Sequence, residues 1–91
     1  MGLEWDEEKR QEALRDHGLD FADCAEVFAG ATFEFPDTRK DYGERRTACV
    51  DFLKGRMVAV VYTPRGKPRR VISMRKCNDR EIQSYRDRIG A

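Results

Sequence analysis

The chain has 91 residues, 40% hydrophobic and 38% charged, and its 18 Lys and Arg against 17 Asp and Glu leave a net charge of +1. That length makes one small domain over residues 1–91. No apolar run approaches the roughly 20 residues that span a bilayer, and the opening MGLEWDEEKR is acidic where a signal peptide is basic and then apolar, so a cytoplasmic protein is expected. The near-zero total conceals a division. Residues 1–35 carry three basic side chains against ten acidic ones, a balance of −7, whereas residues 36–91 carry fifteen against seven, a balance of +8. An acidic region beside a basic one is expected, the basic part being able to attract a polyanion.

In chain order, GLEW (2–5) is short and suits an edge strand. Asp6 then stands as N-cap to a helix ending at His17, with Glu7 and Glu8 favourably placed in the first turn, and Gly18 supplies the left-handed residue past its end. Asp20 caps a second helix whose Phe21, Cys24, Ala25 and Phe28 form an apolar stripe, ending near Gly30. Thr32 to Phe35 alternates as a short strand, with Phe33 and Phe35 on one face, and Pro36 stops it. PDTRKDYGE is a polar loop leading to the strand RRTACVDFLK, where Ala48, Val50 and Phe52 share a face. After the tight turn Lys54-Gly55-Arg56, the apolar run MVAVVYT suits a central strand buried on both sides. PRGKP is a further turn, RRVISMRK a further strand, and NDREIQSYRDRI a closing helix with Asn78 as N-cap and Ile82, Tyr85 and Ile89 at helical spacing. Two helices, about four strands on short connections and a C-terminal helix predict an α+β fold with an antiparallel sheet.

Several chemistries lack their residues. Cys24, Cys49 and Cys77 are odd in number and widely spaced, which supports neither a disulfide framework nor a zinc knuckle and suits buried small side chains. No glycine-rich loop opens a helix, Ser73 and Ser84 lack a nucleophile elbow, and no metal-ligand spacing occurs, so no cofactor is expected. The lone His17 is a formal acid or base, but its place before Gly18 suits a helix C-terminus.

The densest signal is cationic. Arg65, Lys67, Arg69, Arg70, Arg75 and Lys76 fall within twelve positions around Val71–Met74. Such a strand is either a phosphate-binding surface or a solvated strand with ordinary charges. Strict alternation sends Arg69, Val71, Ser73 and Arg75 to one face and Arg70, Ile72, Met74 and Lys76 to the other. Tyr42, Tyr62 and Tyr85 can stack on splayed RNA bases, although Tyr62 at the end of an apolar strand suits the core better. Glu44, beside Arg45 and Arg46, is a base or a bidentate partner for an arginine. Cleaving RNA needs neither a metal nor a serine nucleophile, because the substrate's 2′-OH attacks the adjacent phosphate if the protein orients it and neutralises the developing charge.

The combination Trp5-Asp6, Lys9, His17-Gly18, Phe21, Ala25, Val27-Phe28, Asp37, Gly43-Glu44, Arg46, Val61-Tyr62-Thr63, Arg65, Arg70, Ile72-Ser73, Arg75, Glu81 and Tyr85 resembles the BrnT toxins over nearly the whole chain. The H-G-x-x-F and R-x-I-S-x-R segments are the most specific, while Met74 and Cys77 stand where the family pattern has alanines. The resemblance implies a RelE-like fold and a type II toxin that cleaves RNA and stops translation. It further implies neutralisation by a cognate BrnA antitoxin, through which alone it would meet operator DNA. Carried onto this chain, it assigns Arg70 and Arg75 to transition-state charge, Arg46 to phosphate positioning, and Glu44 or Tyr85 to proton transfer. Arg65, Lys67, Arg69, Ser73, Lys76 and Tyr62 are the expected RNA contacts. The competing expectation is an inactive toxin scaffold that serves as a binding module or co-repressor with a DNA-binding partner.

Overall fold

The computed structural model describes residues 2–30, 32–38, 43–64 and 68–89. It is a mixed α+β arrangement with five strands, β1 (Leu3–Trp5), β2 (Phe33–Pro36), β3 (Thr47–Leu53), β4 (Arg56–Pro64) and β5 (Arg69–Lys76). They lie in the order β1-β5-β4-β3-β2. Three α-helices pack on this sheet: α1 (Glu7–His17), α2 (Cys24–Ala29) and α3 (Asp79–Ile89). The short GLEW segment does form an edge strand, and it pairs parallel to β5, so the sheet is mixed where an antiparallel one was expected. The chain returns to this edge only after the other three strands, which permits the parallel direction.

The helix boundaries follow their caps. The Asp6 carboxylate accepts the Glu8 N–H at 2.9 Å, and Gly18 adopts φ 66° while its N–H closes on the Leu14 carbonyl at 3.1 Å. The expected second helix divides into a 3-10 turn at Phe21–Asp23 and the single-turn α2. Its buried stripe is Phe21, Cys24 and Val27, with Phe28 half-buried, and Ala25 is exposed. Asp20 caps this turn through the Ala22 N–H at 2.9 Å and pairs with Arg10 through two bonds of 2.7 and 3.1 Å. The Arg10 guanidinium, with the Ala22 N–H, holds the Asp20 carboxyl below its ordinary value. A carboxylate depressed by folding adds stability that is present above its unfolded value, about 3.9, and is lost as pH falls through the lower folded value. Asp20→Asn, which keeps a capping side chain without the charge, should therefore flatten the decline in thermal midpoint below about pH 4. An unchanged acid limb would refute this linkage.

Between β3 and β4, Lys54 and Gly55 both take positive φ, 52° and 80°, the backbone of a two-residue hairpin turn that glycine adopts without strain. Every residue of β4 from Met57 to Thr63 is buried because the strand has a neighbour on each side and a core on each face. The larger core lies under α1 and α2 and includes Phe21, Cys24, Val27, Cys49, Val58, Val60, Tyr62, Val71 and Met74. The smaller lies under α3, where Val50, Met57 and Ala59 meet Phe35, Phe52, Ile82 and Tyr85.

One irregularity decides which arginines share a face. Val61 pairs with Ser73 while the next residue, Tyr62, pairs with Val71, so Ile72 is an extra residue in β5. A bulge of this kind shifts the alternation by one. Arg70, Ser73 and Arg75 stand opposite Thr63, Val61 and Ala59 on the α3 face, whereas Arg69, Val71, Met74 and Lys76 pair with the residues of the other face. The regular alternation expected from sequence, which separated Arg70 from Arg75 and joined Arg69 to it, is corrected by that single inserted residue.

Candidate active site

The α3 helix covers only part of its face of the sheet. It sits over Phe33 and Phe35 of β2, with the Tyr85 ring stacked on Phe35 at 5.7 Å and 25°. Beyond its first turn the sheet surface is built from Ala48, Ala59 and Val61, whose small side chains leave a cleft of about 320 Å³. Asp37, Thr38, Arg75, Glu81 and Tyr85 supply its polar lining. Such a volume suits a small portion of a larger ligand, a phosphate with part of its sugar or base, better than a whole oligonucleotide.

Arg75 is fixed at this cleft by Glu81. Its two terminal nitrogens donate to the two carboxylate oxygens at 2.8 and 2.7 Å, the planar fork-to-fork geometry peculiar to arginine. Glu81 is held in turn by a capping box at the start of α3. The Asn78 N–H donates to Glu81 Oε1 at 3.0 Å, and the Glu81 N–H donates to Asn78 Oδ1 at 2.9 Å. Two strand positions away, exposed Ser73 pairs with Val61 of that face but lines the depression beside α1 with Phe21, Ile72 and Met74, and Arg70, outside the cleft lining, reaches Glu4 of β1 at 3.6 Å. Arg46 precedes β3, where its carbonyl accepts the Asp37 N–H at 2.9 Å, so it stands at the Asp37 end of the cleft. Its guanidinium meets Glu44 at 3.2 Å and 3.3 Å, which makes Glu44 an arginine partner. Among the described residues, each of the three arginines therefore has a carboxylate beside it, which orients the fork and tempers its charge.

Other predicted residues lie elsewhere. Tyr62 is 8% exposed in the core under α2, with its hydroxyl donating to Glu34 Oε1 at 2.6 Å. Burial, reinforced by that carboxylate, pushes its phenol up to about 12. Its ring packs edge-on against Phe28 at 5.1 Å, in the core that the end of an apolar strand suits and away from the α3 face. Arg69 covers the same two rings, 4.5 Å from the Phe28 centroid and 4.8 Å from that of Tyr62, on the face away from the cleft. Lys76 lies on that far side as well, in a depression shared with Lys54 and Arg56. Arg65, Lys67 and Tyr42 lie outside the described residues. His17 is exposed in the last turn of α1. The thiols of Cys24, Cys49 and Cys77 are pushed up to about 12, 11 and 11 by burial, which leaves them protonated and inert near neutral pH.

The acidic first third and the basic remainder do not occupy two clean faces. Glu4 reaches across to Arg70, and Asp23 approaches Lys54 at 3.8 Å. Sequence reasoning missed the part that Glu81 and Asp37 play beside the cleft. The N-D-R-E spacing from Asn78 to Glu81 is a capping-box signature and signals where Glu81 must point, but only the fold brings Arg75 to it. Asp37 is 9% exposed after β2, and no local pattern marks it as buried.

No described helix is long and apolar enough to cross a membrane. No curated protein matches the chain. A model of the family described as "Ribonuclease toxin, BrnT, of type II toxin-antitoxin system" matches residues 5–81.

Proposed function

Because the chain belongs to the BrnT family of ribonuclease toxins of type II toxin-antitoxin systems, we propose that the cleft beside α3 is the RNA-cleaving site of a metal-independent endoribonuclease. The observation that carries this reading is the convergence of Arg75 and Tyr85 on one cleft, with Arg70 brought to the face of Arg75 by the bulge in β5. RNA supplies its own nucleophile. The 2′-OH loses its proton and attacks the adjacent phosphorus, the bond to the 5′-oxygen breaks, and a proton delivered to that oxygen completes a 2′,3′-cyclic phosphate and a 5′-hydroxyl.

In this mechanism Arg75 and Arg70 donate N–H bonds to the phosphorane oxygens, where charge grows most in the transition state. Arg46, at the far end of the cleft, holds a neighbouring phosphate. Tyr85 lines the cleft and is the better placed group for proton transfer, whereas Glu44 is engaged by Arg46. Arg65, Lys67 and Ser73 extend the RNA contact. Cleavage of RNA in the cytoplasm stops translation, and a BrnA-type antitoxin that carries the DNA-binding domain neutralises the toxin and links it to operator DNA.

The purified chain should cleave RNA in excess EDTA, and a substrate with one 2′-deoxynucleotide at the cut should resist at that bond. A requirement for added Mg²⁺, or cleavage of the deoxy-substituted bond, would defeat the mechanism. The pairing of Arg46, Arg70 and Arg75 with Glu44, Glu4 and Glu81 gives the scaffold reading its one support, since paired arginines also suit a protein that only binds. Expression without an antitoxin separates the two. Growth arrest with falling translation fits the ribonuclease, and a harmless product fits the co-repressor.

A further inference from the structure

We propose that Glu81 is a positioning residue, holding the Arg75 guanidinium in the orientation that cleavage uses. The inference rests on the ribonuclease reading and extends it to a carboxylate that lines the same cleft and acts through Arg75. The Glu81 side chain is 19% exposed and that of Arg75 46%, so the carboxylate is the sheltered partner and the guanidinium the one presented to solvent. Glu81 cannot follow the arginine outward, because its Oε1 also accepts the Asn78 N–H and its own N–H is bound to Asn78 Oδ1. The α3 helix that carries it is seated through Ile82 and Tyr85 on Val50, Met57 and Ala59. A continuous set of contacts thus runs from the core through the first turn of α3 to the plane of the guanidinium.

The pair engages both terminal nitrogens of the guanidinium, so it sets the direction of the fork. A long side chain held in this way loses less conformational freedom when the phosphorane forms, and a small misplacement of such a donor is felt in the rate. Asn78 and Glu81 would then form the helix start and, through Arg75, help to set the geometry of the chemical step.

The test is Glu81→Gln in the full chain, alone and combined with Arg75→Ala. Glutamine suits the same capping position but turns one acceptor into an amide donor facing the arginine. Single-turnover cleavage of a short RNA should show the rate constant at saturating protein falling about tenfold, as is typical when an orienting partner is lost. The concentration for half-maximal rate should stay within about twofold, and the thermal midpoint within a few degrees, if only orientation is altered. In the Arg75→Ala background the second substitution should change nothing further. An undiminished rate in Glu81→Gln, or the same loss with and without Arg75, overturns the proposal while leaving the ribonuclease reading intact. A wild-type chain that does not cleave, or an Arg75→Ala chain as active as wild type, overturns both.

Discussion

Arg75→Ala should lower the cleavage rate by about 100-fold or more, the usual consequence of removing a preorganised donor from developing oxyanion charge. The same substitution should leave the fold nearly undisturbed. The Arg75 side chain is nearly half exposed, and ion pairs in such settings contribute about 0–1 kcal/mol. Glu81, released from Arg75, still caps α3 through Asn78. A decisive companion is Arg69→Ala. Arg69 lies six residues before Arg75 on the same strand, yet its guanidinium covers Phe28 and Tyr62 on the opposite face. Losing it should reduce stability by the loss of ring and stem packing, about 0.5–2 kcal/mol, with the cleavage rate preserved. Rates measured side by side with thermal midpoints check both, and an Arg69→Ala chain that loses cleavage as severely as Arg75→Ala would mean that the face has been misassigned.

The contrast between those two arginines marks where the sequence becomes insufficient. Local signals are dense in this chain. Asp6, Gly18, Lys54-Gly55 and Asn78 each sit where an element begins, ends or turns, because capping and positive φ depend on one or two neighbours. The buried central strand was legible from MVAVVYT for a similar reason, as an uninterrupted apolar run requires cover on both faces. The bulge at Ile72 leaves no such trace. RRVISMRK alternates acceptably in either phase, and the extra residue is determined by how β5 must meet β4 on one side and β1 on the other. The parallel pairing of β1 is non-local for the same reason. At the cleft, the basic residues were visible as a cluster, but a cluster in sequence does not distinguish the face of Arg75 from that of Arg69. The carboxylates that orient the arginines come from β1, the loop before β3 and α3, and no short window contains all of them.

Phe21→Ala should have the largest effect on folding. The ring is 2% exposed and belongs to the main core with Ala13, Cys24, Val27, Val71 and Met74. Truncating a buried phenylalanine removes its transfer free energy and leaves a cavity, about 3–5 kcal/mol together. A domain of this size has total stability of about 5–15 kcal/mol, and each kcal/mol moves the midpoint by about 4–8 °C, so a fall of at least about 12 °C is expected. The position of the ring makes the consequence more than general. Phe21 stands beside Ile72, Ser73 and Met74, the segment that contains the bulge. It therefore packs the two-helix layer against the part of β5 whose extra residue puts Arg70 on the face of Arg75. Phe21→Leu, which keeps an apolar side chain there, should retain the fold with a loss below about 2 kcal/mol. Below its midpoint, Phe21→Leu should also retain cleavage within a few-fold, since no cleft group has been altered. Urea unfolding and cleavage measured on both variants check these expectations, and a Phe21→Ala midpoint within 3 °C of wild type would show that the core does not depend on this ring.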